Sequence, residues 1–367
     1  MSDMKILEAD YKAQLLEKHN RLSSLLSPFF QESISTFEST PEGYRMRAEF
    51  RIWHDGDDSY HIMFDKNTKL QYKVERLPAA CALINDAMQS TIEFVKRHGA
   101  LRKKLFQIDY LASTNKQLIV SLIYHKPLDE SWSDEAESLR LQLSQLGEVN
   151  IIGRSKKQKL VLGNEYVIER LSINSQSYKF KQVENSFTQP NAEINVKMIE
   201  WTINNLEHGT GDLLELYCGA GNFSVPLSTI FHKVLATEIS KTSVAAAQYN
   251  ISENNIDNLT IARLSSEEFT QAYNKTREFY RLRDVNLSEY EFTTVLVDPP
   301  RAGLDNDTIN LISRFETIVY ISCNPDTLAE NLKALAVSHQ LTHVALFDQF
   351  PFTEHIETGV ILRRIAN

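Results

Sequence analysis

Apolar and polar positions follow two different rhythms along the chain, and the rhythm changes near residue 180. Residues 4–40 open as an amphipathic helix, with Tyr11, Leu15, Leu16, Leu22, Leu25 and Leu26 at helical spacing, and run out into a polar Ser/Thr-rich loop over 33–40. Residues 44–53 alternate strictly. Met46, Ala48, Phe50 and Ile52 fall on one face and Arg45, Arg47, Glu49 and Arg51 on the other, the pattern of a strand with one buried side. His61-Ile62-Met63-Phe64-Asp65 reads as its hairpin partner across the turn Asp55-Gly56-Asp57-Asp58. Helices over 83–96 and 134–146, and strands over 106–111, 118–124, 149–152 and 160–162, complete an α+β first half.

Beyond residue 180, short apolar runs alternate with helical segments, which predicts a parallel sheet. Strands are expected over 212–217, 233–238, 260–263, 293–297, 318–321, 343–347 and 359–363, with a charged helical stretch over 266–290. The link before the seventh strand is too short for a crossover, so that strand must return antiparallel. The fold class is therefore α/β, a Rossmann-like sheet of seven strands with an antiparallel last strand, preceded by a smaller α+β domain. The boundary is expected at 178/179. This topology brings the ends of strands one to six, and the loop before the seventh, to one edge, where open α/β sheets bind ligands. Gly219, Glu238, Asp298, Cys323 and Glu357 converge there.

The chemistry of that edge centres on Ile318-Val319-Tyr320-Ile321-Ser322-Cys323-Asn324-Pro325-Asp326. A buried strand stops on Asn-Pro, and a helix follows with Asp326 as its expected N-cap. A thiol ahead of a helix N-terminus is placed to ionise to thiolate, the nucleophilic form. An isolated cysteine is more often a buried structural residue; convergence with the other groups shifts Cys323 toward nucleophile. Cys218-Gly219-Ala220-Gly221-Asn222 is a tight turn that brings backbone N–H groups close to a ligand. Glu238, about 20 residues on at the end of the second strand, is placed to accept hydrogen bonds from ribose hydroxyls. The full three-glycine dinucleotide fingerprint is missing, so NAD fits less well than S-adenosylmethionine. In Asp298-Pro299-Pro300-Arg301 two prolines present the acid and the base on a stiff turn.

Composition narrows the setting. A chain of 367 residues suits two domains, and 42% hydrophobic with 24% charged residues is ordinary for a soluble protein. No apolar run is long enough for a membrane span, and Met1-Ser2-Asp3-Met4-Lys5 opens no signal peptide. Three cysteines fit a reducing cytoplasm and are one short of an all-cysteine iron–sulfur cluster. No metal site is expected. Cys81 and Cys218 read as structural. The net charge of −9 argues against indiscriminate nucleic-acid binding. Local basic clusters remain: the arginine face of 45–51, residues 96–104 without one acid, and Arg154, Lys156, Lys157 and Lys159. Together they suggest a patch that tracks a phosphate backbone.

Five ordered motifs then carry a resemblance: Gly43-Tyr44-Arg45-Met46-Arg47-Ala48-Glu49-Phe50-Arg51, Ser186-Phe187-Thr188-Gln189-Pro190-Asn191, Asp298-Pro299-Pro300-Arg301, Ser322-Cys323-Asn324-Pro325 and Phe350-Pro351-Phe352-Thr353-Glu354-His355-Ile356-Glu357. From about Gly43 onward the chain resembles the RNA 5-methyluridine methyltransferases. The resemblance implies a class I S-adenosylmethionine-dependent methyltransferase domain behind an RNA-binding domain, acting on the uridine at position 54 of the tRNA T-loop. It implies Cys323 as nucleophile, Glu357 as base, and Gln189, Tyr217, Asn222, Glu238 and Asp298 as cofactor contacts. It also implies tRNA as the partner, through its T-arm, with other RNAs bearing a T-loop-like hairpin as further candidates. A cytoplasmic monomer is expected.

The uracil chemistry fits these residues. Carbon 5 is a poor nucleophile until a thiolate adds to carbon 6, and the methylated adduct then needs a base to take the carbon 5 proton. Glu354 is the nearest rival to Glu357 for that role. Phe350, Phe352 and Phe187 are candidates to stack on the extruded base or to pack the core. Two other readings stay open: a 5-methyluridine methyltransferase of ribosomal RNA, and a tRNA-folding chaperone with secondary methyltransferase activity.

Overall fold

The computed structural model describes residues 2–65, 67–209 and 211–366. The chain divides into two compact units, one of Glu42–Arg170 and Gln182–Ala192, the other of Met1–Pro41, Leu171–Lys181 and Glu193–Asn367. This differs from a single boundary at 178/179, because the first forty residues cluster with the C-terminal part. Helical periodicity shows that a helix buries one face but not which distant segment covers it.

The chain opens with α1 (Ser2–Leu26) and a three-residue strand β1 (Ser35–Phe37), where only loop was expected. The unit of residues 42–170 and 182–192 follows with β2 (Arg47–Asp55), β3 (Asp58–Phe64), β4 (Gln71–Lys73), α2 (Ala82–Arg97), the single turn α3 (Gly99–Arg102), β5 (Leu105–Ala112), β6 (Gln117–Tyr124), α4 (Glu130–Leu143), β7 (Glu148–Ser155) and β8 (Gln158–Leu162). Its strands form one sheet in the order β4-β3-β2-β5-β6-β7-β8, antiparallel except for β6–β7. The strict alternation of β2 holds: Ala48, Phe50 and Ile52 are buried. They share one core with Ile84, Met88 and Val95 of α2 and Trp132 and Leu139 of α4. The indole of Trp132 lies over Gly153 of β7, where an added Cβ would come within 2.4 Å of the ring, so only glycine fits.

The basic clusters of this unit are less free than their sequence suggests. Arg154 donates to Glu184 through Nε at 2.7 Å, and Lys159 pairs with Glu165 at 2.5 Å. Arg102 donates to the carbonyls of Gly56 and Asp58 and to Ser59 Oγ, which closes the β2–β3 turn. Arg47 donates to the Ser186 carbonyl at 2.6 Å and is half-buried. Arg51 is exposed and stands over the Phe106 ring at 5.3 Å, with Phe106 stacked on His125 at 3.8 Å between centroids.

Through the two-stranded sheet of β9 (Tyr166–Ile173) and β10 (Gln176–Val183) the chain passes into the other unit. There it forms α5 (Ala192–Asn204), β11 (Asp212–Leu216), α6 (Ser224–Leu227), β12 (Val234–Thr237), α7 (Lys241–Glu253), β13 (Leu259–Ala262), α8 (Ser266–Tyr273), β14 (Phe292–Val297), α9 (Asn306–Ile312), β15 (Thr317–Ser322), α10 (Pro325–Leu335), β16 (His339–Phe347) and β17 (Glu357–Arg364). The helical stretch expected over 266–290 ends at Tyr273 and continues as two 3-10 turns, Tyr280–Leu282 and Leu287–Glu289.

The sheet order is β1-β16-β17-β15-β14-β11-β12-β13. The seven expected strands are present, and β17 runs antiparallel between β15 and β16. β1 adds an eighth strand, parallel to β16 at the edge. Ile318, Val319, Tyr320 and Ile321 of β15 have no exposed surface. Each side chain so buried contributes about 1.5–3 kcal/mol, which fixes the strand that carries Cys323. Tyr11, Leu15, Leu22 and Leu26 of α1 belong to the same core as Leu328 and Leu332 of α10, Val344 and Leu346 of β16, and Ile356. Within that apolar stripe Lys18 is 4% exposed and meets the fully buried Asp348 at 2.7 Å.

Candidate active site

Three strands end level with one another, and a fourth, β15, runs two residues further. Leu216 pairs with Thr237 and with Val297, and Val297 pairs with Tyr320, so one row of residues crosses the sheet just inside its edge. Tyr217, Glu238 and Asp298 come next on their strands. The last rung between β15 and β17 joins Ser322 to Thr358. Cys323 and Glu357 are the residues directly beyond that rung on the two strands, and the Glu357 charge acts on the Cys323 thiol.

Glu357 is 6% exposed, whereas Glu354, on the loop before it, is exposed. Burial pushes the Glu357 carboxyl well above the usual range, and the neighbouring Asp298 charge adds to this while Arg301 opposes it. Burial also pushes Asp298 up to about 7. Cys323 is half-buried, and its thiol is raised by burial first, then by Glu357 and Asp298, with Arg301 again opposing. Desolvation and two carboxylates thus act against the lowering expected from the end of α10. The cap differs from the expected one. Asn324, not Asp326, caps α10, accepting from Asp326 N, with Pro325 in the first turn. Proline lacks the N–H that a first helical position leaves unused, so Asn-Pro is a start signal.

The Asp298-Pro299-Pro300-Arg301 turn is tied to that cap. The Arg301 carbonyl accepts from Asn324 Nδ2 at 3.1 Å and from Thr327 Oγ1 at 3.3 Å. Arg301 Nη2 lies 3.4 Å from His355 Nδ1. The loops after β14 and β15 and before β17 therefore meet at one arginine, through its carbonyl on one side and its guanidinium on the other.

The glycine turn adjoins them. Tyr217, Gly219 and Gly221 take φ of 64, 56 and 81°. For tyrosine that left-handed conformation costs about 1–2 kcal/mol. It is held by a hydrogen bond from the Tyr217 hydroxyl to Ser266 Oγ at 2.7 Å, so the tyrosine ring belongs to the wall and its backbone to the turn. Glu238 accepts from Gly219 N at 3.1 Å and from Ser240 N at 2.7 Å, which aims its carboxylate across the turn.

Three supports of this turn were not foreseen. Asn222 exchanges two amide hydrogen bonds of 2.8 Å with the buried Asn195 of α5. Asn250 of α7 donates to the Ala220 carbonyl at 2.9 Å. Glu215 is buried under the turn, accepts from Ser224 Oγ, and is raised to about 8 chiefly by burial. A charged residue inside the apolar run Leu213-Leu214-Glu215-Leu216 was the one available signal for it. Cys218 is buried and its thiol is raised by burial, in keeping with a structural role.

Cys323, Glu357, Asp298, Glu238, Tyr217 and Asn222 thus lie along one edge. Gln189 lies in the 182–192 segment, with the other unit. The residues of this edge fit a nucleoside that carries positive charge: a buried, raised Asp298, open space above Gly219, and the Glu238 carboxylate held at the turn by two backbone amides. No group of His, Cys, Asp and Glu that could hold a metal ion occurs among the described residues, and no helix there is long and apolar enough to cross a membrane.

The strand order and this edge define a class I S-adenosylmethionine-dependent methyltransferase. A solved structure of similar fold is the Pyrococcus abyssi tRNA (uracil-54, C5)-methyltransferase in complex with S-adenosyl-L-homocysteine, at TM-score 0.71 and 21% identity, covering 96% of this chain and 83% of that one. The chain belongs to the tRNA (uracil-5-)-methyltransferase family, whose profile matches residues 10–365. Relatives named tRNA/tmRNA (uracil-C(5))-methyltransferase include that of Pseudoalteromonas atlantica, 53% identical over 99% of this chain and 100% of its own length. The Vibrio parahaemolyticus relative is 50% identical over the whole of both chains.

Proposed function

We propose that this protein methylates carbon 5 of the uridine at position 54 in the tRNA T-loop through a covalent adduct on Cys323. The observation that supports this reading is the ladder ending at Ser322 and Thr358, next to Cys323 and Glu357, with Asp298 and Arg301 acting on the same thiol. S-adenosylmethionine, when bound, supplies an electrophilic methyl group on a sulfonium cation. Gly219, Tyr217, Asn222 and Glu238 would hold its nucleoside part and Asp298 its charged part. Gln189 is retained as a contact on the strength of its motif.

The Cys323 thiolate forms a bond to carbon 6, and the ring electrons are pushed onto the uracil carbonyl as an enolate. Carbon 5 then takes the methyl group as its bond to the sulfonium sulfur breaks, and the donor would leave as the neutral thioether S-adenosylhomocysteine. The Glu357 carboxylate removes the carbon 5 proton, the bond between sulfur and carbon 6 breaks, and the thiolate is regenerated. A carboxyl held above its ordinary range is the stronger base, which favours Glu357 over the exposed Glu354. Arg301 opposes the shifts of both thiol and carboxyl and so lets two negative groups coexist.

Mass spectrometry of tRNA nucleosides after incubation with the protein and labelled S-adenosylmethionine is expected to show 5-methyluridine at one T-loop position. Label in ribosomal RNA with none in tRNA would move the activity to the rival substrate. The relatives' names include tmRNA, so an RNA with a T-loop-like hairpin is the natural second substrate to assay. The protein is expected to act as a cytoplasmic monomer on this RNA.

Among the arginines of β2, Arg51 is the one for phosphate contact. Arg51→Ala is expected to weaken tRNA binding and make its salt dependence shallower by about one unit. Arg47→Ala should instead act mainly on folding, through the lost bond to Ser186. Binding titrations over a range of salt, with thermal melting alongside, check both. An unchanged salt slope for Arg51→Ala would make it an ordinary solvated residue.

A further inference from the structure

The loop over residues 348–356 begins at Asp348 and ends at Glu357, and Phe347 pairs with Glu357 in the ladder, so the two acids stand at opposite ends of one hairpin turn. α1 makes four of the contacts that hold this turn, beside those from Phe37, Met198 and Arg301. Lys18 Nζ donates to Asp348 Oδ1 at 2.7 Å and to the Phe350 carbonyl at 2.9 Å. Gln14 Oε1 accepts from Phe352 N at 2.6 Å, and the Tyr11 ring meets the Phe352 ring edge-on at 5.9 Å. Phe352 has a φ of 58°, a left-handed conformation that a phenylalanine keeps only when its surroundings impose it. Arg21 of the same helix reaches Asp326 at 2.8 Å, in the first turn after Cys323. One helix thus grips both the turn that ends in Glu357 and the helix that follows the thiol.

Stability alone does not account for Lys18. A buried ion pair is often no better for stability than apolar residues of the same size, since both charges lose their water. Tyr11 of the same helix also faces Asp348, whose charge and hydrogen bond add to burial in raising the phenol, so α1 meets this acid twice. Lys18 lies on the stripe of Tyr11, Leu15 and Leu22, where a leucine or methionine would pack without that cost. What the pair supplies instead is a directional link between a rigid helix and two successive points of the turn.

We propose that Lys18, with Gln14, is a positioning residue for proton abstraction: it holds the 348–356 turn so that Glu357 reaches carbon 5 of the methylated adduct. The proposal rests on Glu357 being the base. The test uses the full chain with tRNA and S-adenosylmethionine, in the double variant Lys18→Met/Asp348→Leu, which replaces the ion pair by an apolar one, and in Gln14→Ala. Rapid-quench measurement gives the rate of adduct formation, steady-state assays give kcat and KM, and denaturing gels with mass spectrometry show the adduct and its methylation.

In the double variant adduct formation and KM for tRNA are expected to stay within about twofold of wild type, while kcat falls about 10–100-fold and methylated adduct accumulates. Gln14→Ala should move the same way by about threefold, and it decides the matter if the double variant melts early. Wild-type kcat in a folded variant, or an equal fall in adduct formation and turnover, would overturn the positioning role. Glu357→Gln run in parallel separates the two ideas. If it accumulates methylated adduct while the α1 variants do not, only the role of α1 fails. If it turns over freely, the base assignment itself has failed.

Discussion

Replacing Cys323 by alanine is expected to abolish methyl transfer, lowering kcat by at least about 10⁴, while tRNA affinity stays within a few-fold of wild type. Without the thiol carbon 5 is never activated, and positioning the reactants cannot replace the missing bond to carbon 6. Trapping gives the complementary result. A fluorine at carbon 5 cannot leave as a proton, so tRNA with 5-fluorouridine should stall after methyl transfer as a denaturation-resistant adduct that maps to Cys323. Cys323→Ser forming that adduct at wild-type yield would remove the assignment, and an adduct on Cys218 would redirect it. Cys218 is buried with a raised thiol, so Cys218→Ala should remain active. The same Cys323→Ala protein tests the chaperone reading: tRNA refolding that survives the loss of methylation would show the two roles to be separable.

Glu357→Gln should trap ordinary tRNA. The proton that Glu357 takes becomes acidic only once the methyl group is on carbon 5, so the variant is expected to complete transfer and stop with methylated RNA bound to Cys323. Loss of a positioned general base costs about 10²–10⁴ in rate, enough for the species to be isolated. Glu354→Gln should release product nearly normally, its side chain being on the exposed loop. The pH profile carries the same information. As the proposed base Glu357 would act ionised, and its folded value is raised, as is that of the Cys323 thiol. Turnover should therefore rise with pH through limbs displaced upward from both ordinary ranges, the Glu357 limb being the one that Glu357→Gln removes. A limb near pH 4 would count against Glu357, and accumulation in Glu354→Gln instead would place the base three residues earlier.

The parts of the site that were legible in the sequence are those where a local pattern and a sheet edge coincide. Four apolar residues followed by Ser322-Cys323-Asn324-Pro325 give both the strand and the point where it stops, and the short link before β17 forces the antiparallel return that lifts Glu357 to the thiol. Supports that depend on long-range packing left little trace. Asn195 and Asn250 are ordinary polar residues on helices until Asn222 and Ala220 come to them. β1, at three residues, is too short for any alternation to declare it. Lys18 did leave a signal, a charge on the apolar stripe of α1, but its meaning needed Asp348. The groups that raise the Cys323 thiol were hidden for a related reason: the helix that follows the thiol is visible in the sequence, whereas the carboxyls beside it come from two other strands.

The grip of α1 on the β16 end of the sheet also sets an order of events during synthesis. Lys18 and Asp348 are 330 positions apart, so at about 5–20 residues per second the helix waits roughly 15–65 s for its partner to be made. β1 waits as long for β16. The unit built largely from residues 42–170 can fold within that interval, because most of its strands pair with near neighbours in sequence. Until α10 and β16 emerge, Tyr11, Leu15, Leu22 and Leu26 of α1 lack Leu328, Leu332, Val344 and Leu346 of their shared core, an apolar face exposed to aggregation. The sheet edge beside Cys323 thus closes only after β16 and β17 have been made.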